Sequence, residues 1–182
     1  MKRILNTIPL LIALALIAHT CSSRTSGISP SKNVSSSDHF PICQVKEGSV
    51  YDGDTLRVMC QGQESKIRFA CIDAPEAQQE GGIRSRDSLR SLLNRTGNQV
   101  KVNAVDKDRY GRTVAELFVL LGDKWEQVQL QEVKDGMVWA NGKYKSDCPN
   151  WNAIEAAEKE ARSQRKGIWA GNPTPPWEFR HR

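Results

Sequence analysis

From Cys43 to Ile72 short apolar runs alternate with polar turns, the pattern of antiparallel strands rather than helices. Cys43 to Val50 alternates weakly and leads into Tyr51-Asp52-Gly53-Asp54, where an Asp-Gly pair between two strand-like runs predicts a hairpin. The second strand is Thr55 to Cys60, with Leu56, Val58 and Cys60 on one face. A turn at Gln61-Gly62-Gln63 reverses the chain into a third strand, Lys66 to Ile72. A two-residue loop at Asp52-Gly53 sets Tyr51 opposite Asp54 and Cys43 diagonal to Cys60; a two-residue loop at Gly62-Gln63 sets Asp54 opposite Cys71.

After a polar loop (77–82) the period changes, and Ile83, Leu89, Leu92 and Leu93 predict an amphipathic helix ended by Thr96-Gly97-Asn98. Val100, Val102 and Ala104 alternate as a fourth strand, and Val114 to Leu121 reads as a fifth. Val128 to Asp135 is helical up to Gly136, a residue suited to a left-handed cap. Met137 to Ala140 is a short extended run. Trp151 to Lys166 is a helix with Ile154, Ala157 and Ala161 as its apolar stripe and Gly167 as its stop; Ile168 and Trp169 pack back on the core. Five short strands, a helix after the third and helices after the fifth predict a mainly β, α+β fold: a five-stranded OB-fold barrel decorated with three helices.

Length and composition fit that picture, since 182 residues with 38% hydrophobic content suit one core with appendages. Residues 1–21 read as a secretory signal: Lys2 and Arg3, an apolar run from Ile8 to Ala18 too short to span a bilayer comfortably, then small residues. Ser-rich residues 22–39 are expected to be a disordered linker, 40–172 the folded domain and 173–182 a largely extended Pro-rich tail. Five cysteines is an odd number. Cys21 sits where a bacterial lipoprotein carries its acylated residue, although Ala18-His19-Thr20 match that pattern poorly. With Cys21 lipidated or removed, Cys43, Cys60, Cys71 and Cys148 remain for an oxidising compartment: the periplasm, the cell envelope or the exterior. Of three connectivities we favour Cys43–Cys60 with Cys71–Cys148. Lys and Arg outnumber Asp and Glu by 26 to 21, and the pI near 9.0 is compatible with a polyanionic partner.

Charges concentrate between Asp52 and Glu76, on a segment otherwise patterned as buried strand. Asp54 and Asp73 can supply two oxygens to a hard cation such as calcium if the second and third strands bring them together. The odd spacing of Arg68 and Asp73 requires a bend near Ala70-Cys71. The three histidines, His19, His39 and His181, fall in the signal, linker and tail, which removes a histidine-ligated zinc site and a Ser-His triad from consideration. Carboxylates, a cation and arginines suit hydrolysis of a phosphodiester by water. The guanidinium fork matches non-bridging phosphate oxygens, and Glu76 can orient or deprotonate the attacking water. Any one of these charges alone is commonly solvated or ion-paired; together with Arg109-Tyr110-Gly111-Arg112 they point to a site.

Three stretches, Asp-Gly-Asp-Thr (52–55), Ile-Arg-Phe-Ala-Cys-Ile-Asp-Ala-Pro-Glu (67–76) and Asp-Arg-Tyr-Gly-Arg (108–112), closely resemble the staphylococcal nuclease family, and the resemblance spans about residues 43 to 170. It implies an OB-fold barrel with three helices and a calcium-dependent phosphodiesterase that acts on DNA and RNA and leaves 3′-phosphate ends. It further implies that Asp54 and Asp73 bind calcium with the backbone carbonyl of Ala74, where alanine in place of threonine is tolerated because no side chain is needed. By the same resemblance Glu76 positions or activates water, Arg68 and Arg112 bind phosphate, Tyr110 packs on substrate, and Tyr144 falls at a second aromatic position. Asp52 supports the metal through water or simply shapes the turn. A monomer is expected. The loop after Glu76 and the segment before Asp108 are shorter than in the staphylococcal pattern, with no motif residue removed. Two rival readings are weaker. A nucleic-acid-binding OB module that has lost catalysis usually lacks one of the five motif acids and arginines present here, and a purely structural envelope lipoprotein leaves the charge constellation unexplained.

Overall fold

The computed structural model describes residues 39–181. The expected export signal, Cys21 and the linker through residue 38 lie outside the described residues. Strands β1 (Ile42–Val45), β2 (Thr55–Cys60) and β3 (Gln63–Phe69) form an antiparallel meander. After β4 (Ile72–Asp73) and helix α1 (Gly82–Arg95), strands β5 (Gln99–Lys107) and β6 (Thr113–Leu121) return to the same sheet. The order β3-β2-β1-β5-β6 closes on itself because β3 also pairs in parallel with β6, Arg68 standing beside Val114. That closure makes the five-stranded barrel and removes its free edges.

Alternation along each strand fills the interior. Val45, Leu56, Val58, Ile67, Phe69, Val100, Ala115, Leu117 and Val119 are all buried there. β6 continues through a hairpin at Gly122 into β7 (Lys124–Gln127), a short strand that the apolar pattern does not announce. Helix α2 (Val128–Lys134) follows, then β8 (Trp139–Ala140), which pairs with β4, and helix α3 (Trp151–Ser163). Helix α1 buries Ser85, Leu89, Leu92 and Leu93, whereas Ile83 is 48% exposed. The reason is angular: six residues before Leu89, Ile83 points about 120° away from the buried stripe. Gly136 and Gly167 take positive φ, and a side chain on either would strike the other segment's backbone, so the ends of α2 and α3 meet through two glycines.

Both expected disulfides are present, Cys43–Cys60 and Cys71–Cys148. The strand registers differ from the sequence expectation. Gln44 faces Met59 and Val45 faces Val58, so residues 46–54 form a long connection and Asp52-Gly53 is not a two-residue hairpin loop. Instead Asp52 Oδ1 accepts from the amides of Asp54 (3.1 Å) and Thr55 (2.7 Å), the side-chain turn that Asp favours. The shifted register sets Cys43 directly across from Cys60 with Cα atoms 4.5 Å apart, which the diagonal placement did not allow. Between β2 and β3 the loop is Gln61-Gly62, both at positive φ, one residue earlier than expected. The C-terminal tail is not extended throughout: Pro176–Phe179 form a helical turn, α4, with Pro176 buried.

Candidate active site

The site begins where β3 gives out. The amide of Phe69 donates to the carbonyl of Asp54 at 2.8 Å, so Asp54 stands across from Phe69 and not from Cys71. Two residues on, Cys71 takes φ 69°, a left-handed conformation that costs a non-glycine residue about 1–2 kcal/mol. This is the bend required by the spacing of Arg68 and Asp73. It is held by the disulfide to Cys148, by the Asn141 amide donating to the Cys71 carbonyl at 2.8 Å, and by Arg68 itself. Arg68 Nη1 donates to the carbonyls of Phe69 (2.9 Å) and Ile72 (3.0 Å), one on each side of the bend.

The other terminal nitrogen of Arg68 reaches two carboxylates, Asp73 Oδ1 at 2.8 Å and Asp54 Oδ2 at 3.2 Å. Asp54 Oδ2 also accepts from the Ala74 amide at 2.6 Å, and Asp54 Oδ1 accepts from the Thr55 hydroxyl at 3.1 Å. Asp54 and Asp73 are both buried. Burial pushes the Asp54 carboxyl up to about 6; Arg68 and the Ala74 amide pull it down, while Asp52 and Asp73 push it further up. Two carboxylates thus meet at one buried place and share the Arg68 guanidinium.

Glu76, half-buried, sits on the loop that leads into α1. Its amide donates to Gln79 Oε1 at 3.2 Å and its carbonyl accepts from the Gln79 amide at 2.9 Å. Gly82 is packed against that carbonyl so closely that a Cβ would collide with it. Gly53 is packed in the same way against Ser85 of α1. Helix α1 thus sets the position of both acidic segments.

A second group forms at the turn between β5 and β6. Asp108 Oδ1 accepts from the amides of Tyr110 and Arg112, each at 2.9 Å, and its Oδ2 takes Arg112 Nε at 2.6 Å. Partial burial pushes the Asp108 carboxyl up, but the Arg112 side chain and these amides outweigh it and hold it below the usual carboxylate range. Arg112 and Arg109 both lie over the Tyr110 ring, which is 68% exposed. The β3–β6 pairing begins at Ile67 and Thr113, so Arg112, the last residue of the turn before β6, lies beside the strand that carries Arg68. Among the described residues, no hydrogen bond or ion pair joins Arg112 to Asp54, Asp73 or Glu76. Tyr144 is exposed on a 3-10 turn, Gly142–Asp147, which the Cys71–Cys148 disulfide ties to the bend.

One residue of the site has no counterpart in the sequence reading. Arg180, at the end of the tail, places Nη2 2.6 Å from Asp73 Oδ2 and Nη1 2.7 Å from Glu76 Oε1. The hydrogen bond to Asp73, opposed by partial burial and reinforced by Glu76, raises its already high pKa. The only local hint was Trp177 and Phe179, large aromatic residues in a segment otherwise composed as a tail.

The model of the staphylococcal nuclease homologue family matches residues 66–171, from mid-β3 to the end of the core fold. The chain belongs to the staphylococcal nuclease family. It is 38% identical over 137 residues to a micrococcal nuclease of Shigella flexneri, covering 72% of this chain and 76% of that one. It is 36% identical over 134 residues to an uncharacterized endonuclease of Escherichia coli, covering 73% and 82%. A similar endonuclease from Haemophilus influenzae is 35% identical over 133 residues.

The donor set fits a hard cation: every available ligand near the bend is oxygen, two from buried carboxylates and a third carboxylate three residues on. Among the described residues, no group of three or more His, Cys, Asp or Glu side chains is placed to hold a metal ion by itself. A cation held there would need backbone carbonyls, water or substrate oxygens as its further ligands.

Proposed function

We propose that this chain is an exported, calcium-dependent nuclease that hydrolyses phosphodiester bonds of DNA, RNA or both with water and leaves 3′-phosphate ends. The observation that carries the reading is the convergence of Asp54, Asp73 and Arg68 at the Cys71 bend with Glu76 three residues beyond, in a chain of the staphylococcal nuclease family. Two disulfides within the domain support an oxidising destination. Family relatives named as nucleases support the reaction class.

Asp54, Asp73 and the Ala74 carbonyl would hold the calcium ion, with Asp52 shaping the turn beneath Asp54. Once bound, calcium supplies charge that polarises a phosphoryl oxygen and offsets the two buried carboxylates. Glu76 takes the proton of the attacking water as its oxygen bonds to phosphorus. The bond that breaks is the one to the 5′ oxygen, which leaves and takes a proton from solvent water, so the phosphate remains on the 3′ side. Arg112, oriented by Asp108, meets the non-bridging oxygens as charge grows on them. Arg68 does the same only with whatever donor capacity is left after its two carbonyl and two carboxylate contacts, so its first task is to hold the bend and the acid pair together. Tyr110 and Tyr144, both exposed, offer stacking surfaces that accept any base.

The test is cleavage of single-stranded DNA and of RNA by wild type, Glu76→Gln and Arg112→Ala with calcium and with a chelator. Wild-type cleavage that the chelator abolishes, with losses of about 100-fold or more in each variant, is expected. Variants matching wild type would refute the site assignment. Wild type that binds single strands without cutting them under any metal would favour a non-catalytic binding module.

A further inference from the structure

The tail is built to arrive where it does. The side chain of Gln79, buried beneath the Glu76 loop, donates to the carbonyl of Thr174. Pro173, Pro175 and Pro176 restrict the backbone on the way in, and Pro176 is buried. Helical turn α4 closes with the amides of Phe179 and Arg180 donating to Pro175 and Pro176, each at 3.0 Å. These contacts deliver a guanidinium to two acidic side chains more than a hundred positions earlier in the chain.

We propose that Arg180 is a tethered counter-ion that competes with the cation for Asp73 and Glu76, so that docking of the tail sets how much calcium the site needs. The inference rests on the calcium reading above and adds a regulator to it. Asp73 is shared by two arginines: Oδ1 is 2.8 Å from Arg68 and accepts from Arg180 Nη1 at 3.4 Å, and Oδ2 is 2.6 Å from Arg180 Nη2. A calcium ion binds carboxylate oxygen at about 2.3–2.6 Å, so an ion on Oδ2 would stand where the Arg180 nitrogen stands.

Of the two arginines, Arg180 is the one able to leave. The Arg68 side chain is 16% exposed and is pinned by carbonyls on both sides of the bend, whereas that of Arg180 is 44% exposed and its polar contacts are with the two carboxylates. Its anchor is one helical turn with the buried Pro176 and the Gln79–Thr174 hydrogen bond, a smaller unit that opens at lower cost than a barrel strand. Linkage makes the effect reciprocal: a tail that weakens cation binding is itself released by the cation. If the tail is docked roughly nine-tenths of the time, apparent affinity for the cation falls about tenfold.

The experiment is calorimetric titration of calcium chloride into the full chain at fixed ionic strength, with wild type, Arg180→Gln and Arg180→Lys, and unfolding midpoints recorded for each. Arg180→Gln is expected to bind calcium about tenfold more tightly with its midpoint retained. Arg180→Lys, which keeps the charge but loses the two-pronged grip, should fall between. Equal or weaker calcium binding by Arg180→Gln would overturn the competition while leaving the calcium site standing. No calcium binding by wild type or either variant would overturn the calcium reading and this inference with it.

Discussion

Glu132 provides the most demanding check on the folded core, because its carboxyl is buried with too few partners. It lies on α2 facing α1, where Oε1 accepts from the Ser88 hydroxyl at 3.2 Å and Oε2 has no hydrogen-bond partner. Burial is the main cause that pushes its pKa from 4.5 to about 8. The Ser88 hydroxyl and Arg95 pull it down, and Asp135 pushes it up. Between those two values the folded protein keeps a proton that the unfolded chain has released, so stability falls as pH rises and levels off above about 8. At about 1.4 kcal/mol per pH unit, the window corresponds to a ceiling of about 5 kcal/mol, a large share of the 5–15 kcal/mol typical of a domain. Glu132→Gln keeps the shape and removes the titration. Guanidinium unfolding followed by tryptophan fluorescence, without reductant, should give the variant a stability within about 1 kcal/mol of wild type at pH 5 and about 3–5 kcal/mol above it at pH 9. Asp54, whose carboxyl is also raised, titrates in both proteins and cancels in the comparison. A variant-minus-wild-type difference that is the same at both pH values would refute the reasoning.

Other perturbations probe the site and its frame. Gly82→Ala drives a methyl into the Glu76 carbonyl, so cleavage should fall about 100-fold through displacement of the acid; unchanged turnover would show that the α1 contact does not position Glu76. Replacing Cys71 and Cys148 together with Ser opens a loop of sequence separation 77 and should lower unfolding stability by about 4 kcal/mol, read as a lower denaturant midpoint. Tyr110→Ala should leave that midpoint alone, because the ring is exposed, while weakening single-strand binding by about 5- to 100-fold. Equal binding would remove Tyr110 from the substrate surface.

Much of the barrel was legible because its information is local. Alternation marked β2, β5 and β6, and glycine stops marked the ends of α2 and α3 within a few residues. Register was harder: Gln61 and Gly62 take the positive φ of the second turn where Gly62-Gln63 was equally open, and the first turn is a long connection, 46–54, rather than a tight loop at Asp52-Gly53. Each slipped loop moved a partner by two positions, which put Asp54 beside Cys71 on paper and beside Phe69 in the fold. The bend at Cys71 was recoverable all the same, because two charged side chains of odd spacing cannot share a face of a straight strand. Arg180 was invisible for the opposite reason. Its partners are Asp73 and Glu76, sequence separations of 107 and 104, and nothing in the intervening pattern reports that the tail turns back. Gln79 and Asp108, which hold Glu76 and Arg112, read as ordinary polar residues until their partners are in place.

The Cys71–Cys148 bond has a consequence for the lifetime of the molecule among proteases. The exposed residues Ala77, Gln78 and Glu80 form a natural cutting point beside the site. A single cut there would divide the polypeptide between β4 and α1, but the cross-link spans the gap, so the half carrying Asp54, Asp73 and Glu76 would remain covalently joined to the half carrying Arg112 and Arg180. A clipped molecule would migrate as one species without reductant and as two with it. Its two halves would face each other at the concentration of a single chain, however dilute the surroundings became.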